Sequence, residues 1–148
     1  MGIVRGPIFS PKLITKVWFE DKYALFYNDK IEGGLSKPKL AYFSEHPFIS
    51  FNKAYAPQYF RDVLAICTQS GFVPKIQHEC NNVGSIIQLV RNGFGQTILP
   101  VSVAKNYNFK EIAFLQFELK TKVLLVYPTE FSNPITYSAI QYLEENEL

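Results

Sequence analysis

Apolar and polar positions along this chain follow two periods, and between Gly71 and Pro100 the two interlock. Lys75–Glu79, bounded by Pro74 and by Cys80-Asn81-Asn82, predicts a strand that ends in a polar turn. Ile86, Ile87, Leu89 and Val90 then share one helical face, and Asn81, Asn82 and Ser85 are each candidates to cap that helix. Gly93 ends the helix and Gly95 turns the chain into a second strand, Gln96–Leu99, closed by Pro100. Gly71, after the preceding apolar-periodic run, stands where a helix C-terminus needs a residue tolerant of positive φ. The pattern is one βαβ crossover. It predicts a parallel sheet with ligands at the carboxyl ends of its strands.

The flanking segments read in the same way. Pro47–Phe51 predicts a strand and Pro57–Gln69 a helix, with Tyr59, Phe60, Val63, Leu64 and Cys67 inward and Arg61, Asp62 and Gln69 toward water. Upstream, Gly2–Val4 reads as a short buried strand and Arg5–Pro11 as a loop. Two apolar runs follow, Leu13–Phe19 and Tyr23–Tyr27, separated by Glu20-Asp21-Lys22; they predict a hairpin or a strand leading into a crossover. Asn28–Lys39 is a polar surface loop. Downstream, Val101–Asn106 is a short helical turn, and Ile112–Phe117 and Val123–Tyr127 are two further strands. Ser132 or Asn133 caps a last helix that opens on Pro134 and buries Thr136, Ala139, Ile140 and Leu143.

Four stretches in register, PFISF (Pro47–Phe51), Ala56-Pro57, CTQSGFVPKI (Cys67–Ile76) and QLVRNGFGQTILP (Gln88–Pro100), resemble the effector-binding domain of the LysR-type transcriptional regulators. The likeness extends to VLLVYP (Val123–Pro128) and GIVRGPI (Gly2–Ile8). It implies an α/β, periplasmic-binding-protein-like (type 2) fold: a lobe with a mostly parallel sheet flanked by helices, plus an incomplete second lobe. Residues 46–119 would form regulatory subdomain II, and 1–45 with 120–148 the remnant of subdomain I and its hinge. In such regulators a winged helix-turn-helix, a linker helix and two βα units come first, so the resemblance implies that this chain starts after them. It further implies a small-molecule effector bound between two lobes, a homodimer or higher oligomer, no direct DNA binding by this chain, and no enzymatic activity. The apolar faces of Gly2–Val4 and the last helix would need cover, from another copy or another chain. A solute-binding or transport module of the same fold is the alternative.

Composition narrows the chemistry. With 148 residues, 47% of them apolar and 19% charged, the chain can bury a core in one domain or two small lobes. Its 15 Lys and Arg residues are scattered and the net charge is +2, which is not the basic stripe of a nucleic-acid binder. No long apolar run suggests a membrane segment, and a cytoplasmic protein is the plain expectation. Cys67 and Cys80 have no metal-ligand spacing, and neither His46 nor His78 stands in a catalytic motif; no metal, cofactor or catalytic residue is expected. Gly93-Phe94-Gly95 lies after a helix and before a strand, the reverse of a dinucleotide-binding turn. The peroxide-sensing branch of the resembled family carries a cysteine where Cys67 stands, but its second, reactive cysteine has no counterpart in the loop from Asn52 to Gln58. Cys67 is therefore expected to pack in the core, with Cys80 the more accessible of the two. The strand-end loops carry the binding expectation: Ser50, Phe51, Asn52 and Lys53 after one strand, and Asn81, Asn82 and Val83 after the next. They offer amide and hydroxyl groups, an apolar wall and one cation to a small metabolite. An anion would also meet the start of the helix after Asn82.

Overall fold

The computed structural model describes residues 1–107, 110–130 and 133–146. Its elements run β1 (Gly2–Arg5), β2 (Leu13–Asn28), a 3-10 turn (Leu40–Glu45), β3 (Pro47–Phe51), α1 (Pro57–Gln69), β4 (Lys75–Cys80), α2 (Val83–Arg91), β5 (Thr97–Pro100), α3 (Ser102–Asn106), β6 (Ile112–Pro128) and α4 (Pro134–Glu145). They group into two compact units: residues 1–21 with the chain from Lys120 onward, and Lys22–Leu119.

In the unit Lys22–Leu119, β3 and β4 pair in parallel, from Pro47↔Lys75 to Phe51↔Cys80. A parallel bridge, Phe48↔Gln96, extends the same direction to the start of β5. The two strands of the βαβ crossover are thus parallel, with β3 lying between them. β5 then pairs antiparallel with the second half of β2, from Tyr23↔Pro100 to Phe26↔Thr97. Alternation along these strands divides the apolar side chains between two cores. Tyr23, Leu25, Tyr27, Phe48 and Ile98 pack with Val63, Ile66 and Cys67 of α1, and with Leu40 and Phe43 of the 3-10 turn. Ala24, Phe26, Ile49 and Leu99 pack with Ile86, Ile87 and Val90 of α2. Residues 22–45 group with 46–119 for this reason: their strand and their turn complete the first of these cores.

α1 has the expected bounds, but its buried side is Val63, Ile66 and Cys67: Ile66 was not among the expected inward residues, and Tyr59, Phe60 and Leu64 are only half-buried. On α2 the expected Ile86, Ile87 and Val90 are buried and Leu89 half-buried. Asp62 accepts the Tyr23 hydroxyl (2.9 Å) and the Gln58 amide (2.8 Å), so it is bonded across α1 to β2 and does not simply face water. After α1, Phe72 N donates to Cys67 O (3.2 Å) over Gly71 at φ 88°, the left-handed C-terminal turn predicted there.

In the other unit β1 lies antiparallel on β6, from Gly2↔Val126 to Arg5↔Val123. β1 is a strand, as expected, but not a buried one: it ends the sheet order β1-β6-β2-β5, and Ile3 is 51% exposed. Asn133 caps α4 by accepting Ile135 N (2.9 Å), and Ser132, the other candidate, lies outside the described residues. Ile140 is buried and Thr136, Ala139 and Leu143 are half-buried, the predicted side of the helix.

Two expected breaks are absent. Leu13–Phe19 and Tyr23–Tyr27 belong to one strand of 16 residues, and Ile112–Phe117 and Val123–Tyr127 to one of 17. The polar triplet Glu20-Asp21-Lys22 stays in the strand because each of its side chains has an oppositely charged partner in the same sheet: Lys120 and Glu118 on the adjacent β6, and Arg5 on β1 one strand further on, respectively for Glu20, Lys22 and Asp21.

Candidate functional site

The parallel register brings the ends of β3 and β4 to one edge, with Ser50 opposite Glu79 and Phe51 opposite Cys80. Asn52 joins the two loops that follow. Its backbone N donates to Cys80 O (3.1 Å) and its side-chain Nδ2 to Glu79 Oε2 (2.9 Å). Its Oδ1 accepts Ala54 N (2.9 Å), and its carbonyl accepts Tyr55 N (3.0 Å) and Ala56 N (3.1 Å). The loop from Asn52 to Ala56 is thereby a bonded turn held in advance of any occupant. Asn82 is likewise engaged, accepting Ser85 N (2.8 Å) as the cap of α2.

The seven predicted residues stand at the ends of β3 and β4 or just after them, where Asn52 bonds one loop to the other, while Lys53 turns over α1 and Val83 packs on the α2 core. Ser50 is 1% exposed and its hydroxyl donates to Phe51 O (3.0 Å), so it supports the corner from beneath. Phe51 is half-buried, with its ring edge-to-face on Tyr59 (centroids 5.1 Å apart). Val83 is half-buried against the α2 core. Asn81 is exposed. Lys53 is exposed and its ammonium lies 5.2 Å from the Phe60 ring centroid, turned over α1.

Two residues of the corner were missed in the sequence. Glu79 places a carboxylate against Asn52, a neighbour that only the strand pairing reveals. Tyr59 reaches from the first turn of α1 to donate to Ile98 O (2.7 Å), with the Ser50 and Thr97 hydroxyls beside it. Burial pushes its phenol far above the ordinary range, so it acts as a neutral donor. Its spacing at the start of an apolar stripe hid it among ordinary core positions.

The corner can hold hydrogen-bonding groups and an apolar surface, but it contains no nucleophile and base in contact. Burial pushes the Cys67 thiol up to about 12 and raises that of Cys80. Cys67 is fully buried in the α1 core and Cys80 half-buried. The histidines lie in other contacts: His46 Nε2 is 3.6 Å from Glu32 Oε2, and the His78 ring stands edge-on to Phe94. Among the described residues there is no group of three His, Cys, Asp or Glu that could hold a metal, and no helix is long and apolar enough to cross a membrane.

A profile of the LysR substrate binding domain matches residues 1–147. The chain belongs to the LysR substrate-binding domain family. Over 94 residues it is 29% identical to the HTH-type transcriptional regulator AlsR of Bacillus subtilis (strain 168), a match covering 62% of this chain and 31% of that protein. Among solved structures it is similar to CbnR, a LysR family transcriptional regulator, with a TM-score of 0.81, 19% identity, 99% of this chain covered and 52% of the other. The regulatory domain of CcmR from Synechocystis PCC6803, in complex with 2-PG, gives a TM-score of 0.80 at 16% identity, covering 97% of this chain and 71% of the other. The BenM effector-binding domain with its effector benzoate gives 0.73 at 14% identity, covering 97% and 67%. The relatives are transcriptional regulators, and this chain spans about a third of the curated one and half of CbnR. The fold is that of a LysR effector-binding domain.

Proposed function

We propose that this chain is the ligand-sensing part of a LysR-type regulator, binding a small metabolite at the corner where β3 and β4 end. The supporting observation is Asn52, which ties both strand-end loops together with backbone and side chain and leaves Asn81, Lys53 and the edge of Phe51 around a preformed turn. A preformed turn lowers the ordering cost that a bound molecule must offset. The chain carries no catalytic role; ligand occupancy favours one arrangement of a homo-oligomer over another, and operator contact belongs to a separate domain. The two compact units correspond to the family's two regulatory subdomains, and the protein works in the cytoplasm.

A thermal-shift screen over aromatic acids, amino acids and sugar phosphates, with benzoate and 2-PG included, tests this. A ligand at a hundredfold excess over its Kd adds about 2.7 kcal/mol and raises Tm by several degrees. The rise should fall sharply in Asn81→Ala and Lys53→Ala, neither of which disturbs the core. No response from any compound, or a rise that both variants retain in full, would overturn the reading.

A further inference from the structure

The first half of β6 is an open edge. In the sheet order β1-β6-β2-β5 it lies on β2, and β1 pairs with β6 only at Val123–Val126, so among the described residues no strand covers the outer side of Ile112–Leu119. Two contacts to β2 fix its faces: the Phe114 ring centroid lies 5.9 Å from that of Phe26, and Lys22 Nζ lies 3.0 Å from Glu118 Oε2. Ala113, Leu115, Phe117 and Leu119 share the opposite face, where they pack half-buried against the α1 core. Along such an edge runs a row of backbone N–H and C=O groups, a template for one more strand, and edges that stay bare are guarded by charges, prolines or bulges. This one reads IAFLQFEL, with Glu118 as its one charged residue, and Phe114 on it is 51% exposed. β4, by contrast, carries exposed Lys75 and Glu79, the kind of charge that discourages strand addition.

The strand that fits this edge is a second copy of itself. Turned antiparallel about Gln116, it sets Leu115 opposite Phe117 and Ala113 opposite Leu119 on the half-buried face, and Phe114 opposite Glu118 on the exposed one. Glu118 is already neutralised by Lys22 of its own chain, so the two copies meet without facing like charges. We propose that Ile112–Leu119 is an interface between two copies of this chain, β6 against β6, continuing the sheet across a two-fold axis. The inference goes beyond the sensor reading and its test needs no ligand, so the two stand or fall separately.

Sedimentation of the full chain over a range of concentrations should show a monomer–dimer equilibrium. Gln116 is exposed and, at the axis, faces its own copy, so a charge there leaves the core untouched. Gln116→Lys and Gln116→Glu should each weaken the dimer about two- to fivefold, and an equimolar mixture of the two should regain it as a mixed dimer. Gln116→Cys brings two Cβ atoms to about 4.5–5.5 Å, close enough for diamide to link two chains through a disulfide. The unsubstituted chain, whose Cys67 is buried and Cys80 half-buried, and Gln77→Cys on β4 should remain single chains under the same oxidant. A monomer at every concentration, a dimer that both charged variants keep unchanged, or linkage through Gln77→Cys in place of Gln116→Cys would each overturn the proposal.

Discussion

Gly95 sits at φ 147°, and a Cβ placed there would lie 2.3 Å from the carbonyl oxygen of Pro47. Neither side can move away cheaply, because Gln96 N donates to that same oxygen (3.1 Å) and Ile49 N donates to Gln96 O (2.8 Å). Gly95→Ala therefore forces a strained backbone and a clash at the seam between β3 and β5. The expected loss is roughly 2 kcal/mol or more, read as a lower urea midpoint. Gly2→Ala meets nothing within 4 Å and should change stability by less than about 0.5 kcal/mol. The need for a glycine at 95 was legible as a tight turn before a strand. Its cause was not, since Pro47 is distant in sequence and only the strand pairing brings it close. Asn52 illustrates the same limit: its residue type suggested a donor for a ligand, while its five partners show a residue occupied in holding the loop.

Helices were the most readable elements, because a cap, an apolar stripe and a terminal glycine all lie within one local segment. α2 shows this well: Asn82 is the cap among three candidates, and Ile86, Ile87 and Val90 are the buried side. Asn82→Ala removes the acceptor for Ser85 N and should cost about 1 kcal/mol, whereas Asn82→Ser or Asn82→Asp should retain most of it. A helix of nine residues is marginal without its packing, so circular dichroism of the variant should show little change while its denaturant midpoint falls. An unchanged midpoint would mean that the cap carries no weight in the folded chain. The long strands were less legible for the converse reason. A polar triplet reads as a turn unless its partners are known, and Lys120, Arg5 and Glu118 are assigned only by the sheet.

On the scale of the whole molecule, the charged surface and the buried thiol set opposite limits on the pH range of stability. Glu20, Glu45 and Glu111 are each held below the ordinary 4.5 chiefly by a hydrogen-bonded lysine: Lys120, Lys75 and Lys30 respectively. A carboxyl depressed in the folded state contributes stability that is present above about 4.5 and is lost as pH falls through its lower folded value. Cys67 works the other way: its thiol rises from 9.0 to about 12 by burial, so its contribution is complete below 9 and disappears as pH rises toward 12. Cys80 and Tyr59, both raised by burial, and Lys16, raised above 10.5 chiefly by its bond to Glu144, add to the same alkaline loss. The unfolding midpoint should therefore be nearly flat from about pH 5 to 9 and fall on both sides. Lys75→Gln should make the acid limb shallower, since Glu45 then loses the chief cause of its depression. Cys67→Ala, with a lower plateau from its cavity, should make the alkaline limb shallower between about pH 9 and 12. An alkaline limb equally steep in Cys67→Ala would show that this buried thiol does not contribute to it.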